Sequence, residues 1–268
     1  MSGADRFREL QRGGLDDLVS FGQPTFTDSW FPYTSGEVGP FYIQSIVVEQ
    51  EGGAYRRSID ALCELIEATV GLDRFDAVSG GESRDWDFSN PVAAALRKPH
   101  VKIYKDGRIL GATPGGQRIV HVADLNNQGS SMRDVWAPVV RAAGGEIVHA
   151  VFFVDRLEDG VGALEELGIP SSSVVPLDEY AWSYLRDIGY ITEDIYHSLE
   201  RRRHDKRAWA VEALRADIDR LGEMLESNLK ADVTRAERIL REGYPEHRAE
   251  LLELLEQHGY NHGLRPDE

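Results

Sequence analysis

The chain has 268 residues, of which 41% are hydrophobic and 28% charged, a composition typical of a protein that folds around a core. Its 46 acidic and 30 basic residues give a net charge of -16, which excludes a general affinity for nucleic acids or anionic lipids because both need a basic surface. The single cysteine, Cys63, excludes an intramolecular disulfide and a zinc site made of thiolates.

The amino-terminal stretch bears on where the protein works. Residues 1–14 are polar and lack the apolar segment of a secretory signal, and no run of the sequence reaches the length of a membrane span. We therefore expect a soluble, cytoplasmic protein that contacts neither membranes nor nucleic acids.

Short apolar runs alternate with helical stretches and glycine-rich turns between residues 26 and 176. The patterns predict helices at 58–72, from Asn90-Pro91 onward and at 131–143, and strands at 75–79, 100–105, 118–122 and 146–154, with a hairpin turn at Asp106-Gly107. The run at 146–154 is apolar on both faces, which is typical of the middle of a parallel sheet. This order of elements predicts an α/β fold with a central, mainly parallel sheet flanked by helices.

The composition and the hydrophobic pattern change near residue 177. Beyond it glycine and proline become rare, and the apolar residues have helical spacing. The longest helix is expected from about residue 192 to residue 226. We therefore predict two domains, an α/β domain at 1–176 and an added all-helical region at 177–268.

The most informative segment is 119–131, in which an apolar strand is followed by Asp124 and then by a loop of small polar residues. Open α/β sheets bind ligands at the carboxyl ends of their strands, and the amides at a helix N-terminus bind phosphate. Asp124 would then accept hydrogen bonds from sugar hydroxyls. The same residues also fit an ordinary strand-to-helix turn with a serine cap, and this segment alone does not separate the two interpretations.

The segment resembles the motif with which type I phosphoribosyltransferases bind phosphoribosyl pyrophosphate (PRPP), an apolar strand followed by two acids and a Thr/Gly/Ser-rich loop. Asp124 matches the second acid, and Ala123 stands where the first acid is expected. The resemblance implies that the 5′-phosphate of PRPP binds a loop in which Asn and Gln replace threonines. That loop consists of Asn127, Gln128, Gly129, Ser130 and Ser131.

Residues 34–43 resemble a stretch near the start of orotate phosphoribosyltransferases, and they would form part of an N-terminal hood of the α/β domain. In that family two residues after a proline lie against the base. The resemblance therefore assigns Tyr42 and Ile43 to base binding, while Glu37 stands in place of the family's arginine.

Two further segments follow in the order of the family. Residues 78–85 resemble its pyrophosphate loop, in which the glycines let the backbone approach an anion and Arg84 supplies positive charge. Residues 154–160 resemble the stretch whose arginine contacts orotate, and this assigns Arg156 to the base because a guanidinium binds a carboxylate through two hydrogen bonds. Without the resemblance, these segments fit a glycine-rich turn and a surface ion pair.

Orotate phosphoribosyltransferases also close a mobile basic loop over the active site, across a dimer interface. Residues 101–107 occupy its place, with Lys102 and Lys105 matching two lysines, while Val101 and Gly107 stand where an arginine and a histidine are expected. Such a loop neutralises charge that develops on pyrophosphate and excludes water. The stretch is also short enough to be a simple hairpin.

The resemblance implies transfer of ribose 5-phosphate from PRPP to a small nucleobase of the pyrimidine type, orotate being the first candidate, with release of pyrophosphate. Lys102, Lys105 and Asp124 would be the catalytic residues, and Arg84 would bind PRPP together with Asp124 and the phosphate loop. Mg²⁺ is the implied cofactor, with no ligands assigned to it, and a homodimer is the implied assembly.

Two alternatives remain open. A regulator that binds PRPP or a nucleotide without turning it over is favoured by Ala123 and by the loss of two groups from the mobile loop, whereas Lys102 and Arg156 favour an enzyme. A phosphoribosyltransferase for a different base is compatible with Glu37 and with the altered phosphate loop.

Overall fold

The computed structural model describes residues 3–260. Its strands are β1 (Thr25–Pro32), β2 (Val38–Tyr42), β3 (Ala77–Gly81), β4 (His100–Ile103), β5 (Ile109–Gly111), β6 (Arg118–Asn126), β7 (Glu146–Asp155) and β8 (Ser171–Pro176). Its helices are α1 (Gly3–Ser20), α2 (Gly52–Thr69), α3 (Asp85–Ala95), α4 (Ala137–Ala142), α5 (Gly160–Glu166), α6 (Glu179–Asp187), α7 (Glu193–His204), α8 (Lys206–Ala216), α9 (Ile218–Leu225), α10 (Lys230–Arg238) and α11 (Arg248–Gln257). Short 3-10 or π-type turns lie at Ser45–Gln50, Met132–Trp136, Ile239–Gly243 and Pro245–His247.

By their internal contacts the described residues form two compact units. The first contains residues 3–23 and 44–184, and the second contains residues 24–43 and 185–260. Residues 24–43, which the sequence analysis placed in the α/β domain, thus pack with the C-terminal helices, because their apolar side chains lie in the core of those helices. Whether the chain also divides into the two predicted domains, 1–176 and 177–268, stays a prediction.

A six-stranded sheet forms the centre of the first unit, with the strands in the order β5-β4-β3-β6-β7-β8. Neighbouring strands are parallel except for β4 and β5, which form an antiparallel hairpin. Helices α1 and α2 pack against β8, and α3 packs against β3 and β6. The predicted α/β fold class is therefore confirmed, and so is the hairpin at Asp106-Gly107.

Strand β6 is longer than predicted. It continues to Asn126 because its backbone pairs with β7 as far as the partners Asn126 and Asp155. Ala123 and Asp124 therefore lie within the strand, which the sequence analysis ended at residue 122.

Helix α3 begins earlier than predicted, at Asp85, with Pro91 inside it. A proline has no N–H group to offer the carbonyl one turn earlier in a helix. That carbonyl belongs to Asp87, and it accepts a hydrogen bond from the hydroxyl of Tyr55 on α2. The hydroxyl of Tyr55 thus supplies the hydrogen bond that the carbonyl of Asp87 cannot receive from Pro91.

The second unit joins the antiparallel hairpin of β1 and β2 to helices α7–α11 around one apolar core. Trp30 and Val38 of the hairpin lie in this core beside Trp209, Leu214 and Leu251 of the helices. The five side chains are at most 5% exposed, so that the hairpin and the helices share a single hydrophobic interior.

The prediction of one long helix at 192–226 is wrong. Three helices fill that stretch, because Asp205 and Asp217 act as N-caps of α8 and α9. Their carboxylates accept hydrogen bonds from the backbone N–H groups of Ala208 and Arg220, three residues onward. Within residues 3–260, no helix combines the length and the apolar composition needed to cross a bilayer.

Candidate active site

Asp124 lies at the carboxyl end of β6 and is 6% exposed. One of its carboxylate oxygens, Oδ2, accepts a 2.7 Å hydrogen bond from the hydroxyl of Ser45. Burial raises the pKa of Asp124 and the charge of the nearby Asp85 raises it further, whereas the Ser45 bond and the charge of Arg84 act in the opposite direction. A buried acid with a perturbed pKa at this edge of an α/β sheet is a mark of a functional site.

Asp85 is the second carboxylate at this edge, and it lies in the first turn of α3. Its Oδ2 atom accepts a 3.0 Å hydrogen bond from the N–H group of Gly81 and lies 3.5 Å from Nε2 of His121. The imidazole is 1% exposed, and its Nδ1 atom is 2.9 Å from the hydroxyl of Ser79. Asp85, His121 and Ser79 thus form a polar chain that leads from the surface toward the interior of the sheet.

The sequence analysis assigned no role to Ser45 or His121. His121 had a visible signal, since it is a lone polar side chain in the apolar run of β6, whereas Ser45 had none. Ser79 and Asp85 lie in the segment 78–85 that resembles the pyrophosphate loop, but their contacts with His121 were not predicted.

The predicted pyrophosphate loop forms the turn between β3 and α3. The peptide between Glu82 and Ser83 is cis, and Arg84 precedes the first residue of α3 with its side chain exposed. Its charge favours the ionised form of Asp124, which requires the two residues to lie near each other. Arg84 is the residue predicted to bind the pyrophosphate, and Asp124 is the one predicted to bind the ribose. The role of Arg84 stays a prediction.

The two glycines that end β3 have a packing role. A Cβ atom on Gly80 would lie 2.1 Å from the hydroxyl of Ser89, and one on Gly81 would lie 2.2 Å from the indole ring of Trp136. Both contacts are shorter than real carbon atoms allow, so the glycines let α3 and the indole approach the sheet. Close packing therefore accounts for these glycines, whether or not an anion binds there.

Ala123 stands where the family motif has its first acid, and its surroundings are apolar. It is 4% exposed and belongs to a core cluster that also contains Met132 and Trp136. A carboxylate at this position would be buried among apolar side chains, at a cost in free energy. The surroundings of Ala123 thus suit an alanine and not an acid.

The predicted phosphate loop follows β6 directly. Gly129 has a left-handed φ of 65°, and its carbonyl accepts a 3.0 Å hydrogen bond from the N–H group of Arg133. Asn127 and Gln128 are partly exposed, whereas Ser130 and Ser131 are exposed at the start of the following helical turn. The predicted residues are therefore accessible in one loop beside Asp124, and their contact with phosphate stays a prediction.

Lys102 and Lys105 lie in the β4–β5 hairpin, which is the simple hairpin that the sequence analysis kept as an alternative to a mobile loop. The Nζ atom of Lys102 is 5.4 Å from the centre of the Trp86 ring on α3. Lys105 is exposed, and its backbone N–H group donates a 2.9 Å hydrogen bond to the carboxylate of Glu82. The hairpin is thus tied to the turn that carries Arg84.

Arg156 follows β7 and is 7% exposed, so it is not the surface residue that the alternative interpretation expected. Its Nη2 atom lies 3.9 Å from Oε1 of Glu158, whose side chain is also buried. Leu157 between them is exposed and has a φ of 53°, a conformation that few residues other than glycine adopt. Such backbone strain is concentrated at functional sites, and the base-binding role of Arg156 stays a prediction.

Tyr42 and Ile43 belong to the second unit. Tyr42 is 42% exposed, with its ring centre 6.4 Å from that of Phe31, whereas Ile43 is only 4% exposed. Glu37, which replaces an arginine of the family, forms a 2.9 Å ion pair with Nζ of Lys206 on α8. The predicted hood is thus fastened to the C-terminal helices within one unit.

No family model matches the chain. Over 140 residues it is 31% identical to the adenine phosphoribosyltransferase of Agathobacter rectalis, a match that covers 44% of this chain and 78% of that protein. Over 162 residues it is 27% identical to the orotate phosphoribosyltransferase of Sulfolobus acidocaldarius, covering 58% of this chain and 80% of the relative. The orotate phosphoribosyltransferase of Sinorhizobium medicae is 28% identical over 155 residues, which are 53% of this chain and 65% of that protein.

Solved structures agree in fold. The orotate phosphoribosyltransferase of Aeropyrum pernix superposes with a TM-score of 0.56 at 24% identity, covering 66% of this chain and 99% of that one. The orotate phosphoribosyltransferase of Francisella tularensis gives a TM-score of 0.60 at 15% identity, with coverages of 71% and 96%.

The fold is that of a phosphoribosyltransferase of the α/β class, and the chain belongs to the type I phosphoribosyltransferase family. Within that family it is most similar to the orotate phosphoribosyltransferases, which are glycosyltransferases of the pentosyltransferase class. Helices α7–α11 are an addition to the α/β fold. The family predicted from the sequence motifs is therefore confirmed.

Proposed function

We propose that the chain transfers ribose 5-phosphate from PRPP to the ring nitrogen of a pyrimidine-type base, with orotate as the first candidate. The observation that carries the proposal is the buried Asp124, which lies at the carboxyl end of β6 directly before an accessible polar loop. The relatives named above as orotate phosphoribosyltransferases support orotate as the base.

The proposed reaction is a displacement at the anomeric carbon of PRPP through a state with oxocarbenium character. The loop 127–131 holds the 5′-phosphate, and Asp124 accepts hydrogen bonds from the ribose hydroxyls. Arg84, Lys102 and Lys105 offset the negative charge that accumulates on the departing pyrophosphate. Arg156 holds the acidic edge of the base. The assignment of Tyr42 and Ile43 to base binding stays a prediction.

Mg²⁺ fits the residues at this edge of the sheet. Asp85 and Asp124 supply two neighbouring carboxylates, and Mg²⁺ prefers oxygen ligands, of which the protein often gives only one or two while the substrate gives others. Within residues 3–260, no group of three or more His, Cys, Asp and Glu side chains has the arrangement of a metal site. When bound, Mg²⁺ would supply positive charge to the pyrophosphate oxygens.

We also propose a homodimer, the assembly that the family resemblance implies, located in the cytoplasm. A second candidate function is a regulator that binds PRPP or a nucleotide without transferring the sugar. Two observations favour it, because Ala123 lies in an apolar cluster and the mobile loop of the family is replaced by a short hairpin. A phosphoribosyltransferase for another base is the third possibility that the experiment below separates.

The experiment is a measurement of pyrophosphate release from PRPP and Mg²⁺ with orotate, uracil, adenine, guanine and hypoxanthine in turn. Asp124→Ala and Arg156→Ala are the test variants. Arg118→Ala is the matched control, since Arg118 begins the strand that ends near Asp124 and forms an exposed ion pair with Asp76. We expect release with orotate that both test variants abolish and the control retains.

The other outcomes separate the candidates. Release with a different base keeps the mechanism and discards orotate. No release with any base, from protein that binds PRPP in calorimetry, discards the enzyme and supports the regulator. Loss of activity in Arg118→Ala equal to that in Asp124→Ala would show that the assay reports folding and not the site.

A further inference from the structure

Asn126 is the last residue of β6, and no motif of the sequence analysis includes it among the site residues. It is 2% exposed and pairs in register with Asp155, the last residue of β7, which is 4% exposed. The side-chain amide of Asn126 donates a 3.1 Å hydrogen bond from Nδ2 to Oδ2 of Asp155. A buried polar pair therefore joins the carboxyl ends of the two strands.

The same pair fixes the segment that carries Arg156. The other oxygen of Asp155, Oδ1, accepts a 2.8 Å hydrogen bond from the N–H group of Leu157. The backbone carbonyl of Asn126 accepts a 3.1 Å hydrogen bond from the N–H group of Arg156 itself. Asn126 thus holds Arg156 directly, through its backbone carbonyl. It holds Leu157 indirectly, through the side chain of Asp155.

The phosphate loop lies against the far end of this segment. The carbonyl of Asn127 accepts a 2.8 Å hydrogen bond from the N–H group of Gly160. A Cβ atom on Gly160 would lie 2.3 Å from Oδ1 of Asn126, and one on Gly129 would lie 2.9 Å from Cβ of Ala163. The two loops therefore approach each other closely, with the Asn126 side chain between them.

We propose that Asn126 is a positioning residue, which sets the distance between the phosphate loop 127–131 and Arg156 and thereby between the phosphate and the base of one bound substrate pair. The inference rests on the proposed function, since that function assigns the two loops to one reaction. An apolar side chain at this position would leave the buried Asp155 without one of its donors, and the segment with Arg156 would lose a fixed point.

The experiment exchanges the partners of the pair. Asn126→Asp puts two carboxylates against each other, and Asp155→Asn replaces the charged acceptor by an amide. The double variant Asn126→Asp/Asp155→Asn restores one amide and one carboxylate with their positions exchanged. Ser172→Ala is the matched control, because it removes the 3.1 Å hydrogen bond between Nε2 of His149 and the hydroxyl of Ser172, which joins β7 to β8.

The expected result is a difference between two ligands. Asn126→Asp should lower kcat/KM for the base at least ~10-fold, the size of a lost hydrogen bond to a charged group. The Kd of PRPP alone should change less than about threefold, because the phosphate loop keeps its own backbone hydrogen bonds. The double variant should recover most of the loss, and Ser172→Ala should stay within about twofold of the wild type.

A second measurement does not depend on turnover. It is the Kd of orotidine 5′-phosphate, a nucleotide with a phosphate for one loop and a base for the other. This Kd should rise in Asn126→Asp by the same factor by which kcat/KM falls. If the wild type binds this nucleotide but releases no pyrophosphate, the proposed function fails and the nucleotide Kd alone decides on Asn126. Failure of the exchange to restore nucleotide binding, in protein that unfolds at the wild-type urea concentration, would overturn the inference. So would equal losses for PRPP and nucleotide, or wild-type protein that binds neither.

Discussion

Ser45 and Asp124 are joined by a hydrogen bond of 2.7 Å between Oγ and Oδ2, although they are 79 positions apart in the sequence. The bond connects the segment before α2 with the end of β6, and it opposes the effect of burial on the pKa of Asp124. Ser45 thus favours the ionised form of a buried acid, which is the form that the proposed sugar and Mg²⁺ binding would need.

The first prediction concerns the dependence of stability on pH. Burial, with the charge of Asp85, raises the pKa of Asp124 from 3.8 to about 7. The folded chain therefore holds this proton more tightly than the unfolded chain, and Asp124 lowers the free energy of unfolding as the pH rises from 4 to 7. The loss is no more than ~4 kcal/mol, at about 1.4 kcal/mol per pKa unit.

The measurement is urea unfolding between pH 4 and pH 8 in the presence of a chelator, for the wild type and for Asp124→Asn. Subtracting the two curves removes the contributions of other groups, such as His100, whose pKa burial lowers to about 4. Wild-type stability should fall relative to the variant as the pH rises, and Ser45→Ala should extend that fall to higher pH. A difference that is constant over this range would contradict the prediction.

The second prediction is that restoring the acid of the family motif harms the protein. Ala123→Asp places a carboxylate among Met132, Trp136 and the other apolar side chains of that cluster. We expect the free energy of unfolding to drop by at least ~2 kcal/mol, with no gain in pyrophosphate release. The control is Ala95→Asp at the exposed end of α3, where the lower helix propensity of Asp and its charge at the helix C-terminus should cost only about 1 kcal/mol. A stable and more active Ala123→Asp would show that the site has room for the acid.

The third prediction concerns Gly81. In Gly81→Ala the new methyl group meets the buried Trp136 ring, and we expect a loss of ~1–3 kcal/mol in unfolding experiments. Trp136→Leu in the same chain should recover part of that loss, which separates the clash from an effect on the β3 backbone. Gly13→Ala is the control, since no atom lies within 4 Å of its Cβ position, and in helix α1 this change should stabilise by ~0.5–1 kcal/mol.

The fourth prediction concerns the ion pair of Glu37 and Lys206, whose side chains are 24% and 29% exposed. Glu37→Arg brings in the residue of the family, sets two positive charges against each other and should destabilise the chain by ~1–2 kcal/mol. Adding Lys206→Glu should restore most of the stability. Reversing one charge of the exposed pair Arg56 and Asp60 gives the comparison, with an expected change of ~0.5 kcal/mol or less. If charge reversal shifts the unfolding midpoint equally in the two pairs, the result argues against a special role for Glu37.

The sequence predicted what lies within single segments. The order of strands and helices from β3 to β7 follows from local apolar patterns, and Asp124 with its loop forms one continuous motif. Ser45 escaped prediction because it reaches Asp124 only after the segment before α2 has packed against β6. Such contacts depend on tertiary structure, which a single sequence does not display.

Other errors had a readable signal. Asp205 and Asp217 are of a residue type that favours the N-cap position, but the continuous apolar spacing around them favoured one helix. Pro91 favoured a helix start, and the hydroxyl of Tyr55 that permits an interior proline comes from another helix. The first error thus lies in a local signal that was outweighed, and the second in a contact from elsewhere in the fold.

The hairpin of β1 and β2 has a consequence for any attempt to separate the helices from the sheet. Since residues 24–43 belong to the helical unit but are encoded between two pieces of the α/β unit, neither unit corresponds to a continuous stretch of the gene. A stop codon after residue 184 would delete the helices and leave Trp30 and Val38 exposed to water, and one protease cut would release no whole unit. An isolated sheet unit therefore requires a second change, the excision of 24–43 with residue 23 joined to residue 44.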